Sequence, residues 1–137
     1  MTGKATDGDT VTGASTTIHW DPMSRVASVR YAQDANLTVA AGVFLVDALT
    51  RWIGVDRQPF GVLADGAGLR GTDSEYRAKA SAFFRQHRDD SYIALFHLGA
   101  VIHVVVEMFR VGTAIPLRSF GDEAAARACL RTKGIAA

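Results

Sequence analysis

The residues best placed to carry chemistry lie between Phe60 and Arg77, in FGVLADGAGLRGTDSEYR. A short apolar run of Phe60, Val62 and Leu63 reaches Asp65. Glycines follow at 66, 68 and 71, and Thr72-Asp73-Ser74-Glu75 reads as a helix start. A strand, a loop and a helix N-terminus in so short a space make the kind of strand-end loop where such folds put ligands and partners. Ser74 offers a hydroxyl for phosphorylation, and a helix N-terminus tolerates the added charge. Capping is the competing role, since Thr72 and Glu75 have capping-box spacing. The glycines give G-x-G-x-x-G after a strand and before a helix, as in a dinucleotide fingerprint. Against that reading, the motif lies mid-chain and the long first helix precedes the strand. The acid expected about 20 residues on is Asp89 or Asp90, in a turn.

Other reactive side chains give weaker patterns. His103 and Glu107 share one helix face, but a metal site needs a third ligand and nothing places His97 there. His19 near Asp21 is a weaker pair still. Cys129 has no local histidine signature and reads as a small core residue. No nucleophile–base pair or convergent carboxylates can be assigned. The expectation is therefore a non-enzymatic protein without cofactor or metal.

The chain that must position these residues has 137 amino acids, enough for one domain with its own core. Its formal net charge of +1 gives no general field for nucleic acid or anionic membrane. One cysteine fits a reducing cytoplasm. Lys4 is not followed by an apolar signal segment, and no apolar run of about 18 residues exists to span a membrane.

Residues 1–16, mostly Thr, Gly, Asp, Ser and Ala, are expected as a disordered tail, with one domain over 17–137. Thr17 to Trp20, the turn Asp21-Pro22-Met23-Ser24 and Arg25 to Tyr31 read as a hairpin. Leu37, Ala40, Ala41, Phe44, Leu45, Ala48 and Trp52 recur at helical spacing, with Asn36 or Thr38 as cap and Gly54 as stop. A second helix runs from about Asp73 to His87, with Tyr76, Ala80, Phe83, Phe84 and His87 inward and Arg77, Arg85 and Arg88 outward. Ser91 to Leu98 reads as a central strand.

Gly99 to Val111 fits either a strand, through Val104-Val105-Val106, or a helix. The polar positions His103, Glu107 and Arg110 at i, i+4, i+7 favour the helix, closed by Gly112. Val104 and Val111 then leave a second apolar patch for a partner or a symmetric dimer. Ala114 to Leu117 reads as an edge strand, and a last helix follows Asp122 as cap and ends at Gly134.

Three stretches carry a family resemblance: the helix from NLTVA to RWIG with the strand to Asp65, the loop and helix GLRGTDSEYRAKASAFF, and the tail PLRSFGDEAAARACLR. From about Trp20 to Lys133 the chain resembles a STAS-like domain, the SpoIIAA-like fold of anti-sigma factor antagonists, in its bacterial STAS/SEC14-like branch. The resemblance implies an α/β (α+β) fold: a mixed four- to five-stranded sheet with helices mainly on one face. In the antagonists the loop before the second helix carries Asp-Ser-Ser-Gly, whose second serine is phosphorylated. Asp73 and Ser74 match its first two positions, Glu75 stands at the phosphoacceptor and Tyr76 replaces the glycine.

What the resemblance implies is a cytoplasmic, non-enzymatic regulatory module that binds a protein partner. Its expected contact surface is Asp65, Gly68, Gly71, Thr72, Asp73, Ser74, Glu75 and Arg77. A homodimer through the Gly99–Val111 helix is a second contact, with no nucleic acid and no membrane span. The alternative is a binder of a small apolar ligand or lipid, lined by Trp52, Phe83, Phe84, Phe96, Met108 and Phe109. Nucleotide binding at the glycine loop is the third reading.

Overall fold

The computed structural model describes residues 9–113 and 115–137. Strands β1 (Asp9–Gly13), β2 (Thr16–Asp21), β3 (Val26–Tyr31), β5 (Phe60–Asp65), β7 (Ser91–Phe96) and β8 (Leu117–Phe120) form one sheet in the order β1-β2-β3-β5-β7-β8. The β1–β2–β3 pairings are antiparallel, and β3, β5, β7 and β8 run parallel. Two short strands, β4 (Ala35–Leu37) and β6 (Leu69–Thr72), pair parallel as a separate ribbon. The helices are α1 (Val39–Ile53), α2 (Ser74–Gln86), α3 (Ala100–Thr113) and α4 (Glu123–Thr132).

Strand alternation sorts the core onto two faces of the sheet. Ile18, Val29, Phe60, Val62, Ala64, Ile93, Leu95 and Leu117 pack on one face with Leu45 and Leu49 of α1, Phe83 and Phe84 of α2, and Val106 and Phe109 of α3. Val26, Leu63, Ala94 and Phe96 face the other way, against Ala126 and Leu130 of α4 and Ile135. Covered on both sides, β5 is buried along almost its whole length, which is why its sequence reads as a continuous apolar run. A Cβ at Gly61 would come within 3.2 Å of Ile135, so the glycine admits the C-terminal segment close to the sheet.

The five strands expected from the sequence make the mixed sheet, with three of four helices on one face. The sixth strand is a correction. Residues 9–13, assigned to a disordered tail, pair with β2 in the register Asp9↔Trp20 to Gly13↔Thr16. The two-residue turn Ala14-Ser15 holds both residues at positive φ, 50° and 62°. Such turns usually advertise themselves with Asn-Gly or Asp-Gly, and this one does not. Residues 1–8 lie outside the described residues.

Smaller corrections follow the same pattern. Leu37 belongs to β4 rather than to α1, and Ala40 is exposed, while Leu49 and Ile53 fill the inner face. Gly112 lies inside α3 instead of closing it. The strand expected at Ala114 to Leu117 starts at Leu117, after Pro116.

Candidate functional site

Strands β3, β5 and β7 end together, with Arg30 opposite Asp65 and Asp65 opposite Phe96. In parallel sheets this carboxyl edge is where ligands gather. The β4–β6 ribbon stands at that edge. Leu69 to Thr72, expected as open loop, is therefore a strand. Ala35 N donates to Gly68 O at 3.0 Å. A Cβ on Gly68 would lie 2.7 Å from the carbonyl oxygens of both Tyr31 and Ala32, so only glycine lets the chain cross the end of β3. A Cβ on Gly71 would lie 2.8 Å from the side-chain Oδ1 of Asn36. Close approach, of backbone at Gly68 and of a side chain at Gly71, accounts for these two glycines. The segment from Gly68 to Gly71 leads into strand rather than directly into a helix, so the dinucleotide fingerprint lacks its geometry.

Asp65 closes β5. Its Oδ1 accepts from Ala67 N at 3.0 Å and lies 3.2 Å from His97 Nδ1, so His97 belongs to this rim and not beside His103. Asp73, not Thr72, is the N-cap of α2, which leaves Glu75 a position short of capping-box reach. Asp73 makes no side-chain cap; its Oδ1 accepts from Asn36 Nδ2 at 2.9 Å and ties the ribbon to the helix. Ser74 and Glu75 are exposed on the first turn. Arg77, expected to point outward, is half-buried. Its Nη1 donates to Thr72 O at 2.6 Å and Thr72 Oγ1 at 2.8 Å.

Beneath this rim lies an apolar cavity of about 100 Å³. Val62, Ala64, Ile93 and Leu95 form its sheet wall, Tyr76, Ala80 and Phe84 its α2 wall, and Val105, Val106 and Phe109 of α3 cover it. Its lining also includes Tyr31, Thr72 and Arg77. The Tyr31 and Tyr76 hydroxyls bond to each other. Burial raises both phenols, Tyr31 well above its ordinary range and Tyr76 to about 12, the latter held back by the bond from Tyr31. Both stay neutral donors at ordinary pH.

Of the six side chains expected to line an apolar site, Phe84 and Phe109 do so. Trp52 stacks on Trp20 at 5.9 Å, Phe83 packs on Phe60 and His87, Phe96 faces α4, and Met108 is 70% exposed. The cavity-lining role of Tyr31 and Thr72 was not legible, because nothing in sequence spacing relates β3 to β6.

The remaining candidates resolve into local contacts. His103 Nδ1 meets Ser119 Oγ at 3.0 Å and Glu107 pairs with Arg110 at 2.9 Å. Among the described residues no three metal-ligating side chains converge. Cys129 is half-buried beside Tyr92 rather than in the core. At the opposite sheet edge, buried Asp90 holds His87 at 2.9 Å and Arg57 at 3.2 Å, a tie between the α2–β7 turn and the segment before β5. Sequence separation hid it.

Solved structures share this architecture. A protein from Shewanella loihica PV-4, of the DUF3478 family with a SpoIIAA-like fold, superposes with TM-score 0.61 at 14% identity, covering 90% of this chain and 99% of its own. The fold is SpoIIAA-like, that of a STAS-like domain. Apo-SiaC from Pseudomonas aeruginosa matches this chain with TM-score 0.55 at 11% identity, over 82% of this chain and 95% of that one. The murine anion transporter Slc26a9 matches with TM-score 0.57 at 16% identity, over 92% of this chain but 22% of the transporter. No family model and no curated protein sequence matches. Among the described residues of this STAS-like fold, no helix is long and apolar enough to cross a membrane.

Proposed function

We propose that this STAS-like chain is a non-enzymatic, cytoplasmic regulatory module that binds a protein partner at the carboxyl edge of its sheet. The observation that carries the reading is the exposure of Arg70, Ser74 and Glu75 on a rim stiffened by the β4–β6 ribbon and the Asn36–Asp73 bond. A rigid, polar, solvent-facing edge suits recognition without a large rearrangement. The structurally similar SiaC is the activator of the diguanylate cyclase SiaD and binds it, which supports the same class of role. Asp65, Gly68, Gly71, Thr72, Asp73 and Arg77 then shape the rim, while Ser74 and Glu75 touch the partner. A photo-crosslinking residue at position 70 in the native host should capture one protein, and Glu75→Arg should abolish that adduct. An adduct unchanged by Glu75→Arg counts against this surface.

The homodimer through α3 belongs to the same reading. Val101, Val104, Met108 and Val111 are 76%, 55%, 70% and 74% exposed, and their 3-4-3 spacing makes one stripe. Light scattering should give a dimer that Val104→Glu dissociates; a monomer at all concentrations removes this contact.

The cavity under α3 favours a second reading, a small apolar ligand. Its walls are almost wholly apolar, and such cavities bind apolar molecules. Retention of a ligand in native mass spectrometry, lost when Ala64 is enlarged to Phe, tests it.

A further inference from the structure

We propose that the cavity under α3 holds a short carboxylate amphiphile, its hydrocarbon tail among Val62, Leu95 and Phe109 and its carboxylate on Arg77. The inference rests on the ligand-binding reading of the cavity. It adds the chemical class of the ligand and the residue that reads its charge.

Arg77 is the starting observation. It is half-buried and borders an otherwise apolar cavity, yet no described carboxylate forms an ion pair with it. The acids of the same rim are engaged elsewhere: Asp65 with His97 and Asp73 with Asn36. A partly dehydrated cation without an anion is costly to maintain. Thr72 engages a single nitrogen, Nη1. The guanidinium keeps further N–H donors in a planar fork, the geometry that matches a carboxylate. Thr72, Tyr31 and Tyr76 add hydroxyl-bearing side chains to the same lining. Strands β5 and β7 and helix α3 contribute only hydrocarbon to the lining.

Size limits the tail. A cavity of about 150 Å³ holds a benzene ring, so the roughly 100 Å³ here holds about four or five carbons. That suits a hexanoate-length acid, and a longer chain would have to reach beyond the cavity.

The test titrates hexanoate and 1-hexanol into the isotopically labelled full chain, followed by amide NMR. Hexanoate should bind at least tenfold more tightly than hexanol, in line with charge-assisted hydrogen bonding, and both should shift Val62, Leu95 and Phe109. In Arg77→Met the hexanoate advantage should vanish while hexanol affinity stays. Arg77→Lys, which keeps the charge but loses the fork, should fall between. Arg85→Met, exposed on the same helix and outside the cavity lining, should change neither. Equal binding of both probes to the wild type overturns the carboxylate assignment and leaves the apolar cavity standing. Binding of neither probe overturns both.

Discussion

Helices α3 and α4 lie on opposite faces of one sheet and are built differently. α4 starts with a side-chain cap, Asp122 Oδ1 accepting from Ala125 N at 2.8 Å, and carries a Glu123–Arg127 pair at 2.7 Å. It sinks Ala126 and Leu130 to complete burial against β5 and β7. α3 has no acid in its first turn, and among its described side chains it buries only Ile102 below a tenth exposure. It leaves four large apolar residues in solvent, and the side chains it packs on the core, Val106 and Phe109, also cover a cavity. One helix closes its face of the sheet. The other keeps apolar surface available on both its sides, which suits binding better than stability.

Substitutions can break this contrast. Leu130→Ala should destabilise the fold by about 3 kcal/mol, since it opens a void in a closed face, whereas Val106→Ala, half-buried beside an existing cavity, should cost about 1 kcal/mol or less. Equal losses in urea unfolding would mean that the two faces are packed alike. The next effect concerns the cavity wall. Tyr76 ionises near 12 when folded against 10.0 ordinarily, so the unfolded chain loses this proton first as pH rises. Its contribution is complete below pH 10 and fades as pH climbs through about 12, a loss on the order of 2–3 kcal/mol. Tyr76→Phe should flatten that decline in a series of thermal melts; an unchanged decline would place the tyrosine in water. Tyr31 acts in the same direction.

Capping gives a smaller difference. Asp122→Ala should cost about 1 kcal/mol through the lost cap, and Asn36→Ala should leave α2's capping untouched because Asp73 makes no side-chain cap. The smallest effect is expected on the outer face of α3. Met108→Gln should change stability by no more than about 0.5 kcal/mol, and a clear loss there would show that the stripe is covered within the monomer.

Legibility followed the range over which each element is specified. α2, α4 and β5 are written locally: Asp122 is a cap by type, Phe83 and Phe84 mark an inner face, and an unbroken apolar run marks a strand covered twice. α3 was recoverable because His103, Glu107 and Arg110 share one polar side. β1, β4 and β6 were not, since strands of three to five residues without turn signals carry little periodicity. At the rim, Asp65, Gly68, Gly71 and Thr72 were grouped by chain proximity alone. The inward orientation of Arg77 was missed because helical spacing alone set it with Arg85 and Arg88.

By itself, then, the sequence determined the alternation of strands and amphipathic helices, the capped start of α4 and the general place of the rim. Those are consequences of side-chain type at fixed spacing along one chain. Tertiary structure alone decided that Gly68 must pass over the end of β3, that Tyr31 meets Tyr76 across 45 positions, and that Arg77 turns to Thr72 beside an apolar cavity. Such contacts join segments whose separation in sequence carries no period, so only the packed sheet brings them together.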